Sequence, residues 1–286
     1  MPKQNKRSPT KVKKASKPKL EYTQIIKDSG DPGYVNRILV ATPTTGLVRM
    51  EWVASRYGQI IPTNWSMVQT IQYMTSFIPI HYSVADAQNI IVKQVIEQNF
   101  QWLLLIEHDT MPPPDAFIRI NDYIRQGNVP IVSGLYYTKS NPSDPLVYRG
   151  RGVSYYDNWK LGDKVWVDGV PTGFLLINAK ILKLMWDESP EYMAGDTKTR
   201  QVFETPAKLF FDETTGNFNT YAGTSDLEWC TRVIREKYIT RAGWPDIGKK
   251  KYPLLVDTNL FCRHITEDGR IFPDGARPMT IYPDKK

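Results

Sequence analysis

The stretch at residues 102–114, Trp-Leu-Leu-Leu-Ile-Glu-His-Asp-Thr-Met-Pro-Pro-Pro, constrains the fold more than any other. Five apolar residues run together, stop at Glu107-His108-Asp109, and are followed closely by three prolines. So short an apolar run, bounded by polar residues and proline, reads as a strand buried on both faces, the usual state in a parallel sheet. In open α/β sheets the carboxyl ends of the strands are where ligands sit. Two acids with one residue between them at such an end need a partner, because burying unpaired charge is costly. A hard divalent cation is a common partner for such carboxylates. Strand alternation sends His108 to the opposite side, which leaves it out of the expected site.

The flanking chain supplies the rest of an α/β fold. Residues 37–41 read as a first strand, residues 42–46 (Thr-Pro-Thr-Thr-Gly) as the turn after it, and residues 47–57 as a helix-compatible stretch. That turn is either a plain strand-to-helix connection or a source of backbone N–H groups for a nucleotide. It has neither the GxGxxG of a dinucleotide site nor the Gly-Lys-Ser/Thr of a P-loop. Residues 66–73 and 79–81 read as short strands. Residues 83–98 carry Val84, Ala87, Ile91, Val92, Val95 and Ile96 at helical spacing, with Ser83 as N-cap. Asp86 and Asn89 share one face of that helix. Residues 116–126 form a helix after a proline-rich first turn, and residues 129–137 a further strand. This alternation predicts a mostly parallel central sheet with helices on both faces.

The second half changes character. Residues 139–168 are rich in Tyr, Gly, Asp and Pro, with a strand-like piece at 164–167. Residues 170–177 read as a strand whose Gly173 marks close approach of a ligand or another backbone, and a helix follows at 179–186. Residues 188–205 read as a polar loop, either covering a site or an excursion. Residues 209–211 precede Asp212 and a loop to Thr224, and a helix runs from Ser225 to about Tyr238. Residues 254–256 and 260–262 are short strands, His264 follows them, and residues 270–286 form a Pro-rich tail with no clear element.

Composition bounds the class. A chain of 286 residues, 41% hydrophobic and 12% aromatic, is long enough to bury a substantial core. No apolar run approaches the ~18 residues of a membrane span. Cys230 and Cys262 give no disulfide framework, and the basic N-terminus has no apolar core after it, so a cytoplasmic location is expected. The net charge of +7 belongs to a tail: residues 1–20 hold eight Lys/Arg and no acid, which leaves 29 Lys/Arg against 30 Asp/Glu elsewhere. Such a tail is either disordered and solvated or drawn to nucleic acid or an anionic membrane.

Three sets of residues carry candidate chemistry. Glu107 and Asp109 offer oxygen ligands suited to Mg²⁺ or Mn²⁺, or else an acid capping the helix near Pro112. His264 is either structural or, with Asp109, part of a mixed nitrogen–oxygen site that favours Mn²⁺. Asp226 is either part of an N-cap box built by Ser225 and Glu228 or a general base for a hydroxyl proton.

Four blocks, residues 38–43 (Ile-Leu-Val-Ala-Thr-Pro), 103–113, 171–177 (Pro-Thr-Gly-Phe-Leu-Leu-Ile) and Ser225-Asp226 opening a helix, occur in an order that resembles the GT-A-fold glycosyltransferases. The likeness is to family-2-like enzymes and their phage and bacterial relatives, and it spans most of residues 36–266. The chain departs from the family pattern in having Glu107 as the first acid of the DxD-like motif, Ser-Asp rather than Glu-Asp before the helix, and Gln88-Asn89 where relatives often have Arg-Asn. The resemblance implies a Rossmann-like GT-A domain over residues 31–268, with a nucleotide-binding half at 36–137 and an acceptor half at 138–268. The basic tail at 1–30 precedes it and an extension at 269–286 follows.

It also implies a metal-dependent, inverting hexosyl or pentosyl transferase using Mn²⁺ or Mg²⁺ and a nucleotide-diphosphate sugar, a UDP-sugar first. Asp109 and His264 would hold the metal, and Glu107 would contact the ribose or a metal-bound water. Thr42, Pro43 and Asp86 would frame the nucleotide. Gly173 would let sugar or acceptor approach the backbone, and Asp226 would be the base. The acceptor class stays open among a glycan, a lipid-linked glycan and a hydroxylated base in DNA. Two other readings remain: a catalytically silent sugar- or nucleotide-binding module, and a nucleotidyltransferase. Against the latter, residues 42–46 contain neither Lys nor Arg.

Deleting residues 1–20 decides between the two readings of the basic tail: a salt-dependent affinity for DNA or anionic liposomes that is lost with the tail assigns the phosphate contacts to its clustered cations, and no affinity in either form leaves it solvated. Binding compared at two salt concentrations checks this, and binding retained by the truncated chain would place the contact in the body.

Overall fold

A computed structural model describes residues 37–62, 65, 71–73, 79, 82–150 and 155–275. The basic tail, the expected strand residues 66–70 and 80–81, and residues 276–286 lie outside the described residues. In chain order, β1 (Ile38–Ala41), α1 (Met50–Tyr57), β2 (Ile71–Tyr73) and α2 (Val84–Glu97) are followed by β3 (Trp102–Ile106), β4 (Thr110–Met111), α3 (Ala116–Gln126) and β5 (Ile131–Leu135). Then come β6 (Lys164–Val167), β7 (Phe174–Asn178), α4 (Ala179–Glu188), β8 (Glu191–Ala194), β9 (Thr197–Arg200), β10 (Ala207–Asp212) and β11 (Asn217–Ala222). The chain continues through α5 (Ser225–Arg235), the short α6 (Tyr238–Arg241) and α7 (Pro245–Gly248), β12 (Leu254–Phe261), β13 (Arg263–Ile265) and β14 (Ile271–Phe272).

The central sheet has seven strands in the order β2-β1-β3-β7-β5-β12-β6. β1 is parallel to both β2 and β3, and β5 is parallel to β12. β7, in the middle, runs antiparallel to β3 and β5, and β6 runs antiparallel to β12. The sheet is therefore mixed: β2, β1, β3, β5 and β12 share one direction, in keeping with the expected mostly parallel sheet, and β7 and β6 run against them. An apolar run such as Phe-Leu-Leu-Ile looks the same whichever way the strand points, so burial betrays β7 but not its direction.

Helices cover both faces, and β3 shows why. Its side chains alternate, as every strand's must. Leu103 and Leu105 join the core formed with Ile91 and Val95 of α2, Leu182 of α4 and Trp229 of α5. Trp102, Leu104 and Ile106 join the core formed with Phe117, Ile120 and Ile124 of α3. Each fully buried Leu or Ile contributes about 1.5–3 kcal/mol. The Ser83 hydroxyl caps α2 as the sequence indicates, accepting the Asp86 N–H at 3.2 Å. α3 ends on Gly127 with φ 61°, a left-handed C-cap that suits glycine.

Several connections read as loops are ordered. The stretch 188–205 holds the β8–β9 hairpin, and the loop before Thr224 holds the β10–β11 hairpin. Residues 254–262 form one strand up to Phe261 rather than two, and Ile271–Phe272 pairs with β13 inside the Pro-rich tail. β9 is Thr-Lys-Thr-Arg, so its backbone ladder forms without the apolar alternation that reveals a strand. α5 stops at Arg235, three residues before the expected end, and Lys237 then takes a left-handed φ of 56°.

One buried polar contact ties α3 to β12: the Tyr123 hydroxyl donates to Asp257 Oδ2 at 2.6 Å. Tyr123→Phe is expected to destabilise the fold by about 1–3 kcal/mol, because it leaves a buried carboxylate oxygen short of a donor. The urea midpoint should fall with the slope unchanged; an unmoved midpoint would contradict the assignment.

Candidate functional site

The carboxyl ends of β1 and β3, Thr172 just ahead of β7, and the start of α5 enclose a cleft of about 370 Å³. Pro43, Glu107, His108, Asp109, Thr172 and Asp226 all line it. A larger hollow of about 760 Å³ lies at the other end of β3, around Phe100, Trp102 and Trp244. No carboxylate lines that hollow, so the candidate chemistry resides in the smaller cleft.

β3 ends at Ile106, and the next residues form a pinned turn. The Glu107 N–H donates to the Gly173 carbonyl at 2.9 Å, and Thr110 N–H donates back to the Glu107 carbonyl at 3.1 Å. The Trp52 indole donates to the same Glu107 carbonyl at 2.8 Å. Because the strand has ended, alternation no longer governs residues 107–109. His108, expected on the far side, instead lines the cleft, its Nδ1 3.4 Å from the Pro43 carbonyl.

β4 then pairs antiparallel with β13, with His264 opposite Thr110 and Ile265 N–H donating to the Asp109 carbonyl at 2.8 Å. This register seats His264 Nε2 at 3.4 Å from Asp109 Oδ2. His264 Nδ1 lies 2.8 Å from the Tyr137 carbonyl. A carbonyl only accepts, so Nδ1 carries a proton, and Nε2 is the ring nitrogen turned toward Asp109 Oδ2. The Lys139 ammonium donates to the same Asp109 Oδ2. Asp109 Oδ1 is buried with no hydrogen-bond partner. Burial works against the charge on Asp109, but His264 and Lys139 together outweigh it and hold this carboxyl well below the usual range.

Glu107, two residues away, goes the other way. Burial pushes its carboxyl up to about 8, and the neighbouring Asp109 adds to the rise; the Thr172 hydroxyl, donating to Oε1 at 2.8 Å, opposes it. Thr172 is held in turn by the Gln88 side-chain amide at 3.1 Å. Asp226 is the second residue of α5, its Oδ1 accepting the Leu227 N–H at 2.8 Å, and burial raises its pKa. The expected Ser225–Glu228 capping box is not formed: Thr224 is the N-cap and Ser225 already lies inside the helix.

The remaining expected residues have other surroundings. Thr42 is half-buried and does not line the cleft, whereas Pro43 does. Asp86 accepts from the Ser83 hydroxyl at 2.8 Å and the Tyr192 hydroxyl at 2.6 Å, so it and Asn89 fasten the β8–β9 hairpin to α2. Gly173 is required by the protein itself. A Cβ there would lie 2.4 Å from the Tyr136 hydroxyl and 2.6 Å from Thr110 Oγ1. Thr172 and Lys139 were not singled out from the sequence, and Gln88 entered there only as a departure from the family pattern.

Among the described residues, no group of three or more His, Cys, Asp or Glu side chains is arranged to hold a metal ion. Asp109 and His264 form a pair, with one unpartnered carboxylate oxygen and the ring Nε2 3.4 Å from the other oxygen. No described helix is long and apolar enough to cross a membrane. No family model and no curated protein matches the chain. A solved structure titled "Crystal Structure of A197 from STIV" is similar over 87% of this chain and 98% of that one, with a TM-score of 0.51 and 16% identity. Identity this low makes the likeness one of fold.

The raised pKa of Glu107 has a stability consequence. Between its ordinary value of 4.5 and about 8 the folded chain keeps a proton that the unfolded chain has released. Rising pH in that window therefore favours unfolding. In EDTA, Glu107→Gln should flatten the decline of Tm between pH 5 and 8, and parallel Tm profiles for the two proteins would contradict this.

Proposed function

We propose that the cleft binds a nucleotide-diphosphate sugar with a divalent cation and transfers the sugar to an acceptor hydroxyl, as in the GT-A-fold glycosyltransferases. The observation that carries the reading is Asp109 beside His264: at the carboxyl end of a buried strand, a carboxylate has one buried, unpartnered oxygen and an imidazole nitrogen 3.4 Å from the other. Hard oxygen with one imidazole nitrogen suits Mn²⁺, and Mg²⁺ next. The residues present therefore fit such an ion, with a donor diphosphate completing its shell.

When bound, a divalent cation would supply positive charge against the diphosphate leaving group. The protein's own groups account for the rest. Pro43 and its neighbours at the end of β1 would border the nucleotide, and Glu107, anchored by Thr172, would accept or donate a hydrogen bond at the ribose. Asp226 would take the acceptor hydroxyl's proton as that oxygen bonds to the anomeric carbon and the bond to the phosphate oxygen breaks. Its raised pKa makes it a stronger base than an exposed aspartate, which is the direction general-base catalysis needs. Attack from the face opposite the leaving group gives inversion.

The test is hydrolysis and transfer from a panel of UDP- and GDP-sugars with Mn²⁺. Asp109→Asn is expected to abolish metal-dependent turnover. Asp226→Asn should lower transfer by about 10²-fold or more while donor binding stays intact, the scale of a lost general base. Donor binding without turnover in the wild type would instead favour a silent binding module, and full transfer by Asp226→Asn would remove it as base.

A further inference from the structure

We propose that Lys139 is a positioning residue that competes with the divalent cation for Asp109: its ammonium holds Oδ2 in the metal-free cleft and leaves when the ion arrives. The proposal rests on the reading of Asp109 and His264 as a metal-binding pair.

The geometry converges on one oxygen. Lys139 Nζ donates to Asp109 Oδ2, and His264 Nε2 approaches that same atom at 3.4 Å. With Nδ1 committed to the Tyr137 carbonyl, Nε2 is the ring nitrogen left facing Oδ2, where a positive centre compensates the carboxylate. Lys139 supplies one as a compact charge on a flexible four-carbon stem. It satisfies Oδ2 but leaves Oδ1 buried and unpartnered. A divalent ion can take carboxylate oxygen and imidazole nitrogen together, so it completes what the ammonium half completes.

Lys139 can leave without moving the backbone. Its loop is fixed on either side: before it, the Tyr137 carbonyl lies 2.8 Å from His264 Nδ1 and Thr138 N–H donates to the Asp144 carbonyl at 2.9 Å; after it, the Ser140 carbonyl accepts the Ser143 hydroxyl at 2.7 Å. The side chain also borders a second hollow of about 150 Å³ that includes Asn141 and Asp274, where an ammonium finds an oxygen-bearing neighbour. Lys139 and Asp109 side chains keep 32% and 24% exposure, so an ion from solvent can reach the pair.

The test uses the full-length chain stripped with EDTA and titrated calorimetrically with Mn²⁺ alone. Lys139→Met keeps most of the stem and removes the charge. It should bind Mn²⁺ about fivefold tighter, the scale of one partly exposed ion pair, while Lys139→Arg stays at or below the wild-type affinity. Tighter binding is a result that mere structural damage would not produce. In EDTA the Met variant should also melt lower than wild type, and Mn²⁺ should raise its Tm more. Equal or weaker Mn²⁺ binding by Lys139→Met overturns the proposal. Asp109→Asn separates the two readings. If it loses Mn²⁺ binding while Lys139→Met is unchanged, only the competition falls; if it binds Mn²⁺ like wild type, or if no form binds Mn²⁺, the metal pair falls with it.

Discussion

The pairing of β4 with β13 is the contact on which the candidate site depends. It is short, with Thr110 and Met111 meeting His264 and Arg263. Yet it brings a histidine from the far end of the chain to a carboxylate at the end of a buried strand. An ion withdrawn from water into protein is disfavoured by several kcal/mol unless something compensates. For Asp109 the compensation comes from His264 and Lys139, and its pKa falls despite its burial. Glu107 is withdrawn from water at the same turn, but its hydrogen bond comes from a neutral hydroxyl, and its pKa rises. Two acids with one residue between them thus diverge because Lys139 and His264 bond directly to Asp109, whereas at Glu107 burial and the Asp109 charge outweigh the Thr172 hydroxyl and the more distant Lys139.

How much of this was legible in the sequence follows from what each signal encodes. β3, α2 and α3 could be read because apolar residues repeat at strand or helix period and the flanking Ser83 and prolines mark their starts. The direction of β7 could not, since pairing direction is set by connections and not by hydrophobicity. The β8–β9 hairpin escaped because Thr197–Arg200 is polar on both faces, and its order comes from backbone bonds and from Tyr192. At the site, Glu107, Asp109 and Asp226 were visible as acids at a strand end and a helix start. His108 was misplaced by extending strand alternation one residue too far. Lys139 had no signal at all, because its role depends on a loop folding back across the end of β3.

Gly173 and Asp86 teach a related lesson about support. A glycine inside the expected strand 170–177 suggested close approach of a ligand or another backbone, but the room is taken by the side chain of Tyr136, whose hydroxyl accepts the Gly173 N–H at 2.6 Å. An acid and an amide on one helix face suggested a nucleotide contact, but they clamp a hairpin. Both residues still serve the cleft, one step removed. Gly173 accepts the Glu107 N–H and so fixes where β3 ends. Asp86 and Asn89, through Tyr192 and the backbone of Phe203, hold α2 from its outer side.

That clamp matters because Gln88 lies on the same helix, fully buried, and holds Thr172, which holds Glu107. The Glu107 carboxyl is thereby fixed from both ends of a chain of contacts: its backbone through Gly173 and Trp52, its side chain through Thr172, Gln88 and the clamped helix. A site whose polar groups are locked by such supports meets a ligand without having to order itself first. Asp109 is held differently. Its backbone is pinned by Ile265, but its carboxylate is held by a lysine that can move. The cleft therefore combines one rigid acid with one whose partner is exchangeable, and it is the exchangeable one that an arriving cation would engage.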